Sequence, residues 1–244
     1  MRNLLLPLLF LVGCENYTGS VGELGRIVYG LSSDYEVDDV GLSGALIVTG
    51  HPQRIMTSLT SSGEGRIREP GEVSHRVTPV EGALLEHSYE DDGIADFDLT
   101  VELEGVYTVE SLVDGNVVDR IDLTFGTPSY LDLITWIREP NEEGFDDVTD
   151  EGTPVPRYTQ VAFVPVPMGE GEQRLVGDIS VETSASPEGA IITGSNVYGV
   201  FEQIVLATSN PPSIYLVEPG AVSITVSDVP NGVDAVRDFE VVDE

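Results

Sequence analysis

The chain has 244 residues, 43 acidic against 11 basic, for a formal charge of −32; every basic residue is arginine and none is lysine. Nucleic acid and anionic lipid headgroups both need a basic surface, so this composition excludes them as partners. A hydrophobic share of 41%, with the acids dispersed among Val, Ile and Leu, excludes a disordered chain and suffices for one large β domain or two of ~100 residues without disulfides.

The N-terminus runs Met1-Arg2-Asn3 and then nine mostly leucine residues, Leu4 to Val12, before Gly13-Cys14. A charged start and a short apolar run is the layout of a secretory signal, since a membrane-spanning helix needs about 20 apolar residues. Cys14 is the one cysteine, so in an exported chain its thiol has no internal disulfide partner and calls for other chemistry. Leu11-Val12-Gly13-Cys14 resembles the lipobox of bacterial lipoproteins. The resemblance implies lipidation of the Cys14 sulfur, cleavage that removes residues 1–13, and acylation of the new amino terminus, with palmitate-like chains as the membrane anchor. Each buried methylene contributes about 0.8 kcal/mol, so two or three chains hold a protein on a bilayer. Glu15 is not the aspartate that favours inner-membrane retention, and the expected destination is the outer membrane. Residues 14–25, with three glycines, read as a flexible tether.

Further along, apolar and polar residues alternate as in half-buried strands. The segments are Asp96–Leu103, Val117–Phe125, Gln203–Ala207 and Val222–Val226. Turn signals separate them at Asp92-Gly93, Glu104-Gly105, Asp114-Gly115, Pro219-Gly220 and Asn231-Gly232. No window keeps helical spacing, and the pattern predicts an all-β sandwich architecture. The stretch from Arg138 to Pro156 is acidic, poor in apolar residues and holds three prolines, so it reads as a linker between domain one (26–137) and domain two (157–244). Trp136, the single tryptophan, is expected to pack at the end of domain one or against domain two. Pro165, within Gln160–Val166, suits an edge strand.

The two halves end alike. Gly105-Val106-Tyr107-Thr108-Val109 precedes a turn at Asp114-Gly115 and then Arg120; Gly220-Ala221-Val222-Ser223-Ile224 precedes Asn231-Gly232 and then Arg237. This suggests one fold used twice. The first of these stretches resembles the penultimate strand and last hairpin of bacterial immunoglobulin-like domains. That resemblance implies two immunoglobulin-like β-sandwiches in tandem and a corner bond from the Tyr107 hydroxyl to upstream backbone, with Val222 standing where domain two would need its tyrosine. With the lipobox, the whole is similar to tandem immunoglobulin-like envelope lipoproteins.

Catalytic patterns are missing. Gly41-Leu42-Ser43-Gly44 lacks the spacing of a nucleophile elbow, and His51, His75 and His87 are scattered without metal-ligand spacing. Asp92-Gly93-Ile94-Ala95-Asp96, followed by Asp98, resembles one unit of an aspartate-rich calcium repeat, which makes Asp92, Asp96 and Asp98 candidate calcium ligands. The expectation is a non-catalytic, cofactor-free envelope lipoprotein, structural or adhesive, that presents its domains to a protein or glycan partner. Two alternatives stand beside it: a calcium-dependent carbohydrate-binding accessory module, which needs metal at the Asp92 cluster and an exposed aromatic platform, and a periplasm-facing scaffold, which shares every feature above.

Overall fold

The computed structural model describes residues 20–31, 42–59, 73–91, 94–140, 146–147, 154–193 and 213–243. The first half contributes β1 (Ser20–Val21), β2 (Ile27–Leu31), β3 (Leu46–Val48), β4 (Pro52–Leu59), β5 (Val73–Thr78), β6 (Ala83–Asp91), β7 (Ile94–Val101), β8 (Gly105–Val113) and β9 (Asn116–Gly126). The second contributes β10 (Tyr130–Arg138), β11 (Asp146–Asp147), β12 (Pro154–Pro156), β13 (Gln160–Met168), β14 (Glu182–Ser186), β15 (Ile191–Thr193), β16 (Ser213–Leu216), β17 (Gly220–Asp228) and β18 (Val233–Val242).

Sheet β1-β2-β4-β7-β6 belongs with β3-β9-β8-β5 in the first half, and β11-β10-β13-β16-β15 with β12-β18-β17-β14 in the second. From β2 and β10 inward the two orders are the same; at the outer edge they differ, since β1 precedes β2 in the chain whereas β11 follows β10. In each half one short strand lies parallel to the last strand: Leu46–Val48 beside Thr124–Gly126, and Pro154–Pro156 beside Glu240–Val242. The other pairings are antiparallel. This is the immunoglobulin arrangement, A-B-E-D against A′-G-F-C, and the chain is all-β with that sandwich built twice.

Alternation explains each layer. Along β8, Tyr107, Val109 and Ser111 point inward, and along β9 Asp119, Ile121, Leu123 and Phe125 do the same. They meet Tyr29, Ile55, Phe97 and Leu99 from the facing sheet in one apolar core. The second core has Phe163, Ile214, Leu216, Val222, Ile224, Val226 and Phe239. Tyr107 donates its hydroxyl to the Leu103 carbonyl at 3.0 Å, the corner bond implied by the sequence. Tyr107→Phe should lower the stability of the first sandwich by about 1 kcal/mol, read as a lower urea midpoint at unchanged slope. No change would mean the hydroxyl is as well served by water.

The repeat extends beyond the hairpins. Thr78-Pro79-Val80-Glu81-Gly82-Ala83 and Ser186-Pro187-Glu188-Gly189-Ala190 make similar turns after β5 and β14, the first longer by one residue. Each has a cis X–Pro bond and a closing bond from the alanine, Ala83 N to Val80 O at 3.2 Å and Ala190 N to Pro187 O at 3.1 Å.

Four sequence expectations change. Residues 130–137, assigned to domain one, pair along their whole length with 161–168 of domain two, so the sandwiches change over between Gly126 and Tyr130. The reason is long-range pairing, which a strand's own alternation does not specify. The 138–156 segment, read purely as a linker, includes β11 and β12, which pair with β10 and β18. Pro165 lies on a strand flanked by β10 and β16, although β16 pairs only with residues 160–162, and the missing N–H falls beyond that ladder. Residues 20–25, read as tether, begin the first sandwich: Gly22 N donates to Ile27 O at 2.8 Å. The expected strand Gln203–Ala207 lies outside the described residues.

Candidate functional site

No constellation of nucleophile, base and acid is present among the described side chains. The most elaborate polar assembly lies where the two sandwiches meet. On the first sandwich it uses the β3–β4 turn, Thr49-Gly50-His51, and the start of β4. On the second it uses the segment between β13 and β14 and the β17–β18 turn.

Backbone pairing begins the contact. Val48 N donates to Val176 O, and Val176 N to Leu46 O, each at 2.9 Å, so Val176 of the second sandwich extends the edge of β3. An edge strand is open to such pairing, and here the chain covers it itself. The Val176 side chain joins the first core. Beside it Val48, Leu131, Leu175 and Ile179 form a separate apolar cluster drawn from both sandwiches, with Leu46, Val181, Val233 and Ala235 against it.

Side chains then fix the register. The Gln53 amide, fully buried, donates from Nε2 to Asp178 O and accepts at Oε1 from Asp178 N, both at 2.8 Å. Gly177, at φ +113°, makes room for this clamp, because a Cβ there would lie 2.3 Å from Gln53 Oε1. His51 accepts from Ser180 N at Nδ1 (3.3 Å) and lies 2.9 Å from Asp228 Oδ1 through Nε2. With Nδ1 an acceptor, Nε2 carries the proton and donates to the carboxylate. Asn231 Nδ2 donates to Asp228 Oδ2 at 2.8 Å and to Thr49 O at 3.0 Å. Burial pushes the Asp228 carboxyl up, but the hydrogen bonds from His51 and Asn231 together outweigh it and hold the group below its ordinary value.

The same turn occurs at the opposite pole of the second sandwich. In the first sandwich Thr49 N donates to Gly126 O and Gly50 N to Val101 O; in the second Arg157 N donates to Val242 O and Tyr158 N to Leu216 O. Gly50 therefore corresponds to Tyr158. Both adopt left-handed backbone, φ +80° and +66°, in a turn geometry that favours glycine. At Gly50 a Cβ would come within 3.1 Å of Pro230 in the junction. At Tyr158 an L side chain costs about 1–2 kcal/mol.

The residues singled out by sequence are dispersed. Cys14 and Asp92 lie outside the described residues. Asp96 and Asp98 share one face of β7, two residues apart, and Asp98 Oδ1 accepts from Arg54 Nε at 3.3 Å. Among the described residues no group of three His, Cys, Asp or Glu side chains is disposed to hold a metal. His75 is a buried strand residue with its ring 4.4 Å from that of Phe97. Trp136 packs against the cluster of Val164 and Val166, which Met168 also joins. Sequence reasoning missed His51, Gln53, Asp228 and Asn231. The one local signal was Asn231-Gly232, read there as a turn and nothing more.

The strand order and the bonded junction thus define a tandem of immunoglobulin-like sandwiches. No protein-family model matches the chain, and no curated protein matches it. Among solved structures it is similar to FdeC, an Escherichia coli adhesin, at 15% identity over 92% of this chain and 65% of that one (TM-score 0.32). It is similar also to domains 5–6 of the S-layer protein SbsC, at 14% identity over 88% and 99% (TM-score 0.31). Invasin, described as a bacterial integrin-binding protein, matches at 14% identity over 93% of this chain and 41% of its own (TM-score 0.31). These are likenesses of fold.

Proposed function

We propose that this protein is a non-catalytic lipoprotein of the bacterial cell envelope, anchored through Cys14, whose two sandwiches form a stiff arm that presents its outer surface to a protein or glycan partner. The junction is the observation that carries the reading. A flexible two-domain linker needs no buried contacts, whereas here a shared apolar cluster, an added backbone pairing and the Gln53–Asp178 and His51–Asp228 bonds hold the sandwiches together. Stiffness of this kind suits a spacer or an adhesive arm, because a fixed orientation lowers the entropy cost of meeting a partner. The sequence Leu11-Val12-Gly13-Cys14 supports the anchor, and Glu15 supports outer-membrane sorting.

Protease digestion of intact cells, with a periplasmic protein as lysis marker, tests the placement. Cleavage on whole cells, together with release of Cys14→Ala from the membrane fraction, is the expected result. Protection until the outer membrane is breached would turn the arm toward the periplasm. A Cys14→Ala protein that stays membrane-bound at unchanged mature mass would end the lipoprotein reading.

A further inference from the structure

The geometry points to a saccharide-binding site centred on Tyr158, at the pole of the second sandwich opposite the junction. This rests on the presenting-arm reading above and names the chemistry of what is presented. β13 runs nine residues from that pole, at Gln160, to the junction end at Met168, which sets Tyr158 about 30 Å beyond the junction. In an arm anchored through Cys14, this pole faces away from the anchor.

Three features converge there. Tyr158 is a bulky residue held at φ +66° in a turn whose counterpart in the first sandwich is Gly50, so the fold would be better served by glycine and retains an aromatic ring against that preference. The ring is displayed: Tyr158 is 57% exposed. It is also buttressed. The Arg157 guanidinium lies 5.1 Å from the ring centroid, with Nε donating to Val217 O at 2.9 Å and Nη1 3.5 Å from Asp243 Oδ1.

The patch is small. Next to this turn the other exposed large apolar side chain among the described residues is Val242 at the end of β18, whereas a stable protein interface takes about 800 Å² from each partner around an apolar centre. One aromatic ring bordered by a fixed guanidinium and the carboxylate of Asp243 matches a pyranose instead. The sugar's C–H face lies on the ring face opposite the one the Arg157 guanidinium covers, and its hydroxyls donate to the Asp243 carboxylate. The free pole is also unlike the junction pole. Gly50 admits Pro230 and Asn231 at close range, and a tyrosine at that place would keep a second sandwich from seating in the same way.

The test is saturation-transfer NMR on the full chain in detergent, with methyl glucoside, methyl galactoside, methyl mannoside and di-N-acetylglucosamine at millimolar concentration. At least one should receive transfer at its ring protons. Tyr158→Gly should weaken that binding tenfold or more without lowering the thermal midpoint, and Tyr158→Phe should keep binding within threefold. Absence of transfer to all four sugars overturns the site, as does transfer that Tyr158→Gly leaves intact. A lowered midpoint for Tyr158→Gly would mean the ring serves folding and would equally overturn it. Whole-cell adhesion separates this from the broader reading. Adhesion that needs the protein but proceeds equally on surfaces free of saccharide leaves the arm standing and sinks the sugar site. Adhesion indifferent to deletion of the protein counts against the arm itself.

Discussion

Asp119→Ala is expected to destabilise the first sandwich by about 4 kcal/mol, close to the upper end for single substitutions. Asp119 is fully buried on β9, and its carboxylate is the acceptor for four backbone N–H groups. Oδ1 takes Leu24 N at 2.8 Å and Arg120 N at 2.9 Å; Oδ2 takes Arg26 N at 2.7 Å and Ile27 N at 2.8 Å. Two of these donors, Leu24 and Arg26, belong to the turn that joins β1 to β2 and a third, Ile27, opens β2, so one side chain from the last strand fixes the entry of the chain into the fold. Hydrogen bonds to a charged group contribute about 1.5–3 kcal/mol each, but water entering the vacated space would satisfy some of the donors, which keeps the total below their sum. Asp119→Asn retains one acceptor oxygen and turns an amide NH₂ toward the other pair, so about half the loss is expected. Urea unfolding gives the magnitude, and amide exchange at Ile27 localises it. A loss under about 1 kcal/mol, or fast exchange spread evenly over both sandwiches, would contradict this account.

What the sequence made legible follows from the range of the forces involved. The alternation in Val117–Phe125 and Val222–Val226 is local, and it placed β9 and β17. Tyr107 announced its own corner because glycine, tyrosine and the following turn occupy one short stretch. The Leu131–Ile137 segment was assigned to the wrong half because its alternation fits a strand in either sandwich. Only pairing with residues 160–168 decides between them, and such pairing is specified by distant partners. The junction was invisible for a similar reason. Gln53 holds the backbone of Asp178, and backbone carries no sequence signature; His51 and Asp228 stand 177 positions apart. A lone histidine gives no sign of which carboxylate it will meet. The glutamate–glycine–alanine turns that follow a proline before β6 and β15 were legible and would have strengthened the repeat.

The buried bond between His51 and Asp228 makes the junction sensitive to acid in a defined direction. The Asp228 carboxyl is held below its ordinary value in the folded protein, whereas an unfolded aspartate titrates near 3.9, at about the model-peptide value. A depressed folded value means the unfolded chain binds the proton more readily. The contribution of Asp228 is therefore complete well above that pH and is lost as the pH falls through the folded value. Near neutral pH the two sandwiches should melt as one calorimetric transition. Asp228→Ala removes the acceptor for His51 Nε2 and for Asn231 Nδ2 and N, leaving the buried His51 donor unmatched. A loss of about 3 kcal/mol is expected, with the single transition separating into two. Asp228→Asn supplies the control, since it cannot ionise. Below about pH 4 the wild type should lose stability more steeply than this variant, and the curves should converge. Parallel pH curves for wild type and Asp228→Asn would show that the carboxylate is not what acid releases. A single transition retained in Asp228→Ala would assign the coupling to Val176, Gln53 and the shared apolar cluster alone. The distinction bears on the junction's stiffness, because apolar contacts tolerate small rotations that a buried histidine–carboxylate bond at 2.9 Å does not.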